Sequence, residues 1–257
     1  MTPAPRDLQN TVALVTGASS GIGEAAARTL AERGAAVALA ARRGDRLQEL
    51  AGEIADAGGT ALPIEADVSD REQAESAVAK TAEELGRLDV LVNNAGVMLL
   101  GPVAEAPLEE WERMIHVNLL GLLYTARAAL PHLAEAAEKA PRRVADLVNI
   151  SSVAGRQARK GSAVYNATKH GVGAFSEALR QEVTQGHVRV SLVEPGAVAT
   201  ELQGHNRPEV MEQIEKRFEE MDILQAEDVA DAIAYVVTRP RHVAVNEILI
   251  RPTQQVG

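Results

Sequence analysis

A β-branched run at residues 11–16 (TVALVT) stops at GASSGIG and passes directly into an alanine-rich stretch with helical spacing, residues 21–33. Three glycines in seven residues cannot sit inside a strand or helix without a backbone-entropy cost, so they mark a tight turn between the two. Strand, glycine turn and helix in immediate succession are the first half of a parallel βαβ unit, and such units require a sheet covered on both faces. Gly34 is placed to close the first helix in the left-handed conformation that glycine tolerates.

The rest of the chain repeats the alternation. Strands are expected at residues 35–41, 61–64, 88–92, 144–150, 188–193 and 245–250. Helices are expected up to about residue 57, and at 71–85, 108–139, 163–184 and 226–237. Asp70 is a candidate N-cap. Pro131 removes an amide donor, so the helix around it should kink or nearly end there. Residues 197–222 are polar and weakly patterned, and the acids from Glu209 to Asp222 read as a wet helical face. The expected architecture is a three-layer, doubly wound α/β fold: about seven parallel strands, with helices on both faces. No repeat, linker or low-complexity tract divides it, so residues 1–257 are expected to form one domain.

Composition limits function. The chain has no cysteine, which removes disulfides, thiolate metal sites and a cysteine nucleophile. With 26 basic and 36 acidic side chains the net charge is −10, unlike a protein that displaces counterions from a nucleic acid. Neither a nucleic-acid nor a membrane partner is expected. No apolar run approaches membrane-spanning length, and the first ten residues lack the pattern of a secretory signal, so a cytoplasmic location is expected. The six histidines show no metal-ligand spacing, and no metal is expected.

Two ends of a site can be read from the residues. At the first, Gly17, Ser19, Ser20, Gly21, Ile22 and Gly23 surround a helix start whose unpaired amides and dipole suit a pyrophosphate. In such sheets an acidic residue at the tip of the second strand binds a ribose 2′-hydroxyl, and arginine accommodates a 2′-phosphate. Here the tip is Ala41-Arg42-Arg43, which points to NADP(H), chiefly through Arg42 with Arg43 assisting. At the second end, Tyr165 and Lys169 stand four apart on a helix, hence on one face. A cation about 5 Å from a phenol, at an effective dielectric near 20, favours the phenolate by roughly 3 kcal/mol. That is about two pK units, enough to bring the proton into play near neutral pH. Ser152, with Ser151 as its rival, ends the fifth strand where a hydroxyl would orient a carbonyl. Asn118 interrupts an apolar helix either as a satisfied core amide or as a site residue.

Taken together, TGASSGIG at 16–23, NNAG at 93–96, ISS at 150–152, YNATK at 165–169 and EPG at 194–196 resemble the short-chain dehydrogenase/reductase family, in order and over essentially the whole chain. The resemblance implies an oxidoreductase that interconverts a small carbonyl or alcohol substrate, with Tyr165 as acid or base. It implies that Lys169 lowers the phenol's pKa and holds ribose hydroxyls, that Ser152 binds the carbonyl oxygen, and that Asn118 holds a water. It further implies dinucleotide contacts from Asp67 and Val68 (adenine), Asn94, Ala95 and Gly96 (adenosine ribose), and Pro195, Gly196, Val198 and Thr200 (nicotinamide). A mobile lid over about 199–222 and a homotetramer also follow from it. Substrate contacts are open: Arg156 and Arg159 hold a substrate carboxylate or simply decorate a loop, and Met98, Leu99, Leu100 and Val153 wall the pocket or pack the core. His205 touches substrate or solvent. Carbonyl reduction, oxidation of a small 3-hydroxy acid, and cofactor sensing without turnover are the three activities compatible with these residues.

Overall fold

In the computed structural model, which describes residues 7–218 and 221–256, seven short runs line up side by side and all parallel. They are β1 (Val12–Thr16), β2 (Ala36–Ala41), β3 (Thr60–Glu65), β4 (Val90–Asn93), β5 (Ala145–Ile150), β6 (Val188–Pro195) and β7 (Glu247–Ile250), in the order β3-β2-β1-β4-β5-β6-β7. Leu14 pairs with Ala38 on one side and Leu91 on the other. Alternate residues face opposite layers, so each face of the sheet needs its own cover. Ala13 and Val15 join one core with helices α1 (Gly21–Glu32), α2 (Gly44–Asp56) and α8 (Ala226–Val237). Leu14 joins the other, with α3 (Arg71–Glu84), α5 (Leu122–Lys139) and α6 (Ala163–Val183). The alanines of β2, weak strand formers, are held extended because five of its six residues are buried between these layers.

Chain order reverses between β1 and β4, so the carboxyl ends of these two strands part and open a crevice. Three expectations about the helices change. The long helix does not end at Pro131 but runs on to Lys139. Ala129, Leu133, Ala136 and Ala137 bury one face of it, and that packing outweighs the lost amide bond. Between α4 (Leu108–Met114) and α5 the helix widens into a π-helical turn, Ile115–Gly121, which carries Asn118. The stretch read as weakly patterned forms a short 3₁₀ turn, Glu201–His205, and a helix, α7 (Pro208–Phe218). Of the expected lid and acidic face, Glu219 and Glu220 lie outside the described residues. No described helix is long and apolar enough to cross a membrane.

Away from the crevice, at the amino-terminal end of β5, Asp146 is fully buried. Arg189 donates to its two carboxylate oxygens at 2.7 and 3.0 Å, and Arg142 donates at 3.0 Å. Arg189 also donates to the carbonyls of Arg239 and Val243, tying the β7 approach to the sheet. Removing one member of a buried ion pair strands the other charge. Asp146→Ala should therefore cost about 3–5 kcal/mol in equilibrium urea unfolding; a loss under about 1 kcal/mol would show that the cluster is not a structural anchor.

Candidate active site

Gly17 and Gly21 take positive φ, +68° and +55°, and lay the turn after β1 across the crevice. A side chain at 17 would meet Ala95 Cα at 2.8 Å, and one at 23 would overlap Gly17's carbonyl. The close approach is fixed by a reciprocal clamp. Thr16 Oγ1 accepts the amides of Asn94 and Ala95 at 3.0 and 3.1 Å, and Asn94 Nδ2 donates to the carbonyls of Thr16 and Gly17. Ser20 precedes α1 without capping it through its side chain, so the first amides of that helix are left to face the crevice.

The crevice opens into a cavity of about 1030 Å³ that runs from this turn to Tyr165. Nearly every residue expected at the site lines it: 17 and 19–22 in the turn, 42 and 43, 67 and 68, 94–96, Ser152 and Val153, Arg159, Tyr165, Lys169, Pro195, Gly196, Val198, Thr200, Met98 and His205. Gly23, Asn118 and Arg156 do not, and each has a physical reason. Gly23 is buried beneath the turn. Asn118 is 1% exposed, its Oδ1 accepting Val97's amide and its Nδ2 donating to Val97's carbonyl and Thr168 Oγ1. Its side chain is thus a satisfied core amide bracing the loop after β4. Arg156, expected as one option to hold a substrate carboxylate, instead grips Glu194 at 2.6–2.9 Å and also contacts Glu247. Of the apolar wall, Met98, Leu100 and Val153 line the cavity, whereas Leu99 is packed in the cluster beneath.

At the tip of β2 the two arginines separate. Arg43 donates to Ser19 Oγ and Ser20 Oγ and pairs with Glu201 Oε2 at 2.7 Å. Glu201 also holds Arg46, and these two guanidinium groups pull its carboxyl down to about 2. Arg42 is exposed on the cavity rim with no hydrogen bond to any described residue. Asp67's carboxylate accepts the amide and hydroxyl of Ser69, shaping the turn after β3.

At the chemical end, Tyr165 and Lys169 are both 6% exposed and share one face of α6, with Nζ 5.9 Å from the phenol ring centre. Ser152 rather than Ser151 meets the phenol. Ser151 Oγ is committed to Lys169's carbonyl, while Ser152, whose Oγ accepts Ala154's amide at 3.1 Å and donates to Pro195's carbonyl at 3.4 Å, acts on the phenol. The expected lowering of the phenol's pKa is not what the structure shows. Burial pushes Tyr165 up to about 12, with only the Ser152 hydrogen bond drawing it down. Burial also pulls Lys169 down to about 8, and its ammonium spends one bond on Ile150's carbonyl at 2.9 Å. Among the described residues, no three histidine, aspartate or glutamate side chains gather as a metal site.

Sequence reading missed several parts of this wall. Asn166 uses all four of its hydrogen-bonding positions on Arg159 N, Ser162 Oγ, Ala154 O and Gln157 O, stapling the loop between β5 and α6. Gln255 accepts Ala197's amide at 2.9 Å and reaches the cavity from the far end of the chain. Arg207 and two residues four apart on α7, Val210 and Ile214, close the cavity over the substrate end.

The model of the short chain dehydrogenase family matches residues 11–211, and the chain belongs to this family of oxidoreductases. An uncharacterized oxidoreductase of Staphylococcus aureus is 37% identical over 245 residues, covering 95% of this chain and 98% of the relative. Among solved structures, the closed form of a serine dehydrogenase complexed with NADP+ superposes with a TM-score of 0.87 at 36% identity, covering 96% of this chain and 97% of that one. An alcohol dehydrogenase from Thermococcus sibiricus complexed with 5-hydroxy-NADP gives 0.85 at 32% identity, covering 96% and 98%.

Burying an ammonium with one protein acceptor is costly, and removing it should relieve that cost. Lys169→Met should raise Tm by a few degrees at pH 7. The folded-state pKa, about 8, lies below the ordinary 10.5, so the unfolded chain binds the extra proton between them. Wild-type stability should accordingly rise over that window, and the Met variant's advantage should shrink; an advantage that is absent or independent of pH, by calorimetry, contradicts this account.

Proposed function

We propose that this chain is an NADPH-dependent reductase that converts an aldehyde or ketone to an alcohol. The observation that carries the reading is the buried Tyr165, lining with Ser152 and Lys169 the same cavity as the glycine turn. Burial keeps the proton on Tyr165 at neutral pH, so the phenol stands in the form a donor needs. The chain's residues also fit a dinucleotide: positive-φ glycines lie close against the crevice, uncapped helix amides face it, and the β2 tip carries Arg42 without a carboxylate. When bound, the reduced dinucleotide supplies the hydride. Ser152 orients the carbonyl oxygen, Tyr165 delivers its proton to that oxygen, and Lys169 holds the nicotinamide ribose hydroxyls. Arg42, helped by Arg43, takes the 2′-phosphate, and Pro195, Gly196, Val198 and Thr200 border the nicotinamide. Asn118 acts through Val97, bracing the loop that faces Lys169.

The MLLGP at 98–102, AGR at 154–156 and RPTQQV at 251–256 are similar to bacterial clavulanaldehyde reductase, which favours an aldehyde substrate, as in secondary metabolism. A second reading, NADP-dependent oxidation of a small 3-hydroxy acid, is favoured by the superposition on serine dehydrogenase. A cytoplasmic homotetramer belongs to the same proposal.

Tyr165→Phe should lower turnover by roughly 10²–10⁴-fold, followed at the NADPH absorbance band with a panel of aldehydes, ketones and hydroxy acids. It should leave NADPH binding nearly intact; retained turnover would refute the proton-donor role. Arg42→Ala should weaken NADPH about tenfold or more while sparing NADH, measured by fluorescence titration. An unchanged preference between the two cofactors would remove Arg42 from the 2′-phosphate site.

A further inference from the structure

Charge is unevenly spread over this acidic chain. Around one end of the cavity, the cations Arg159, Lys160 and Arg207 stand with the carboxylates Glu105 and Glu209, and Glu110 backs Arg207.

Arg207 is the best placed of these cations. It sits between the 3₁₀ turn and α7, and Nη2 donates to Leu100's carbonyl at 3.3 Å. The guanidinium lies across Gly101, where any side chain would collide with Nη2. Gly101 is itself tied to Gly161, and Leu100's amide to Asn206, so the cradle is fixed from three segments. Pairing is incomplete, however. Nε lies 3.5 Å from a Glu110 oxygen without hydrogen-bonding alignment, and both this Nε and the other Glu110 oxygen are buried with no hydrogen-bond partner. Of five N–H groups, one is spent on a hydrogen bond among the described residues. A guanidinium so placed matches the two oxygens of a carboxylate.

Resting on the reductase reading above, we propose that Arg207 is a specificity residue that binds the carboxylate of an oxo-acid substrate, leaving the carbonyl toward Ser152 and Tyr165. Glu110 holds the guanidinium in place loosely and competes with the ligand. This assigns the anion-binding role to a segment outside the loop of Arg156, which Glu194 and Glu247 already occupy.

The test uses binding, so it does not depend on turnover. The Tyr165→Phe protein saturated with NADP+ is titrated calorimetrically with straight-chain oxo acids of increasing length and with their methyl esters. At least one acid should bind about tenfold or more tightly than its ester. Adding Arg207→Ala should erase that difference, Arg207→Lys should keep part of it, and Glu110→Gln should enlarge it. An acid preference that is absent throughout the series, or that survives Arg207→Ala, overturns the assignment. So does weaker acid binding in Glu110→Gln, which would show that Arg207 and Glu110 merely latch two segments. Loss of turnover on neutral aldehydes by the Tyr165-intact protein bears instead on the reductase reading.

Discussion

The site depends first on how the ends of β1 and β4 are joined where they diverge. Thr16 Oγ1 accepts two amides from the β4 side and donates to Val92's carbonyl at 3.4 Å, which uses its full hydrogen-bonding capacity. Asn94 returns the clamp with its amide nitrogen. With the two strand ends so fixed, the turn at 17–23 has no room for side chains at 17 or 23, and glycine there follows from packing as much as from ligand approach. The same bonds show that Asn94 acts on the protein's own backbone, so its influence on a dinucleotide would come through the shape of the crevice.

A second set of constraints holds the substrate end. The 197–224 excursion is closed at its base by a parallel bridge between Val198 and Leu224. Two adjacent glutamines near the carboxyl end tie it down: Gln255 at Ala197's amide and Gln254 at Asp222's, 2.7 Å. Gly196 lies so close to Gln255 Oε1 that a side chain there would collide. Loop, helix α7 and the last described residues thus share one wall, which is why residues far apart in the chain converge on one cavity.

What was legible in the sequence follows from the range of the forces involved. Helix α8 and the carboxyl ends of β1, β2, β5 and β7 coincide with their expected bounds because burial on both sheet faces leaves a local apolar pattern. The π turn left only an indirect mark, a lone Asn118 in an apolar run, since a shift in backbone hydrogen bonding has no residue signature of its own. Helix α7 showed in sequence only as an acidic helical face, because Val210 and Ile214 face a cavity rather than a core. Arg156 and Arg159 look equivalent in sequence, yet Arg156 turns to Glu194, 38 residues on, and only Arg159 reaches the cavity. The phenol was misjudged for a related reason. Spacing on a helix shows that Lys169 is near Tyr165 but not how dry the surroundings are.

That dryness has a consequence for chemistry. Burial disfavours charge on both members of the pair, raising the phenol and lowering the ammonium. The values, about 12 and about 8, remain well separated, so between them there is a broad range in which the phenol keeps its proton. Below about 8 the lysine also remains charged beside it. In this state the phenol is a neutral hydroxyl beside a cation, and the same dry surroundings oppose charge on either group. The desolvation that makes Lys169 expensive for the fold is thus the same dryness that holds the proton on Tyr165.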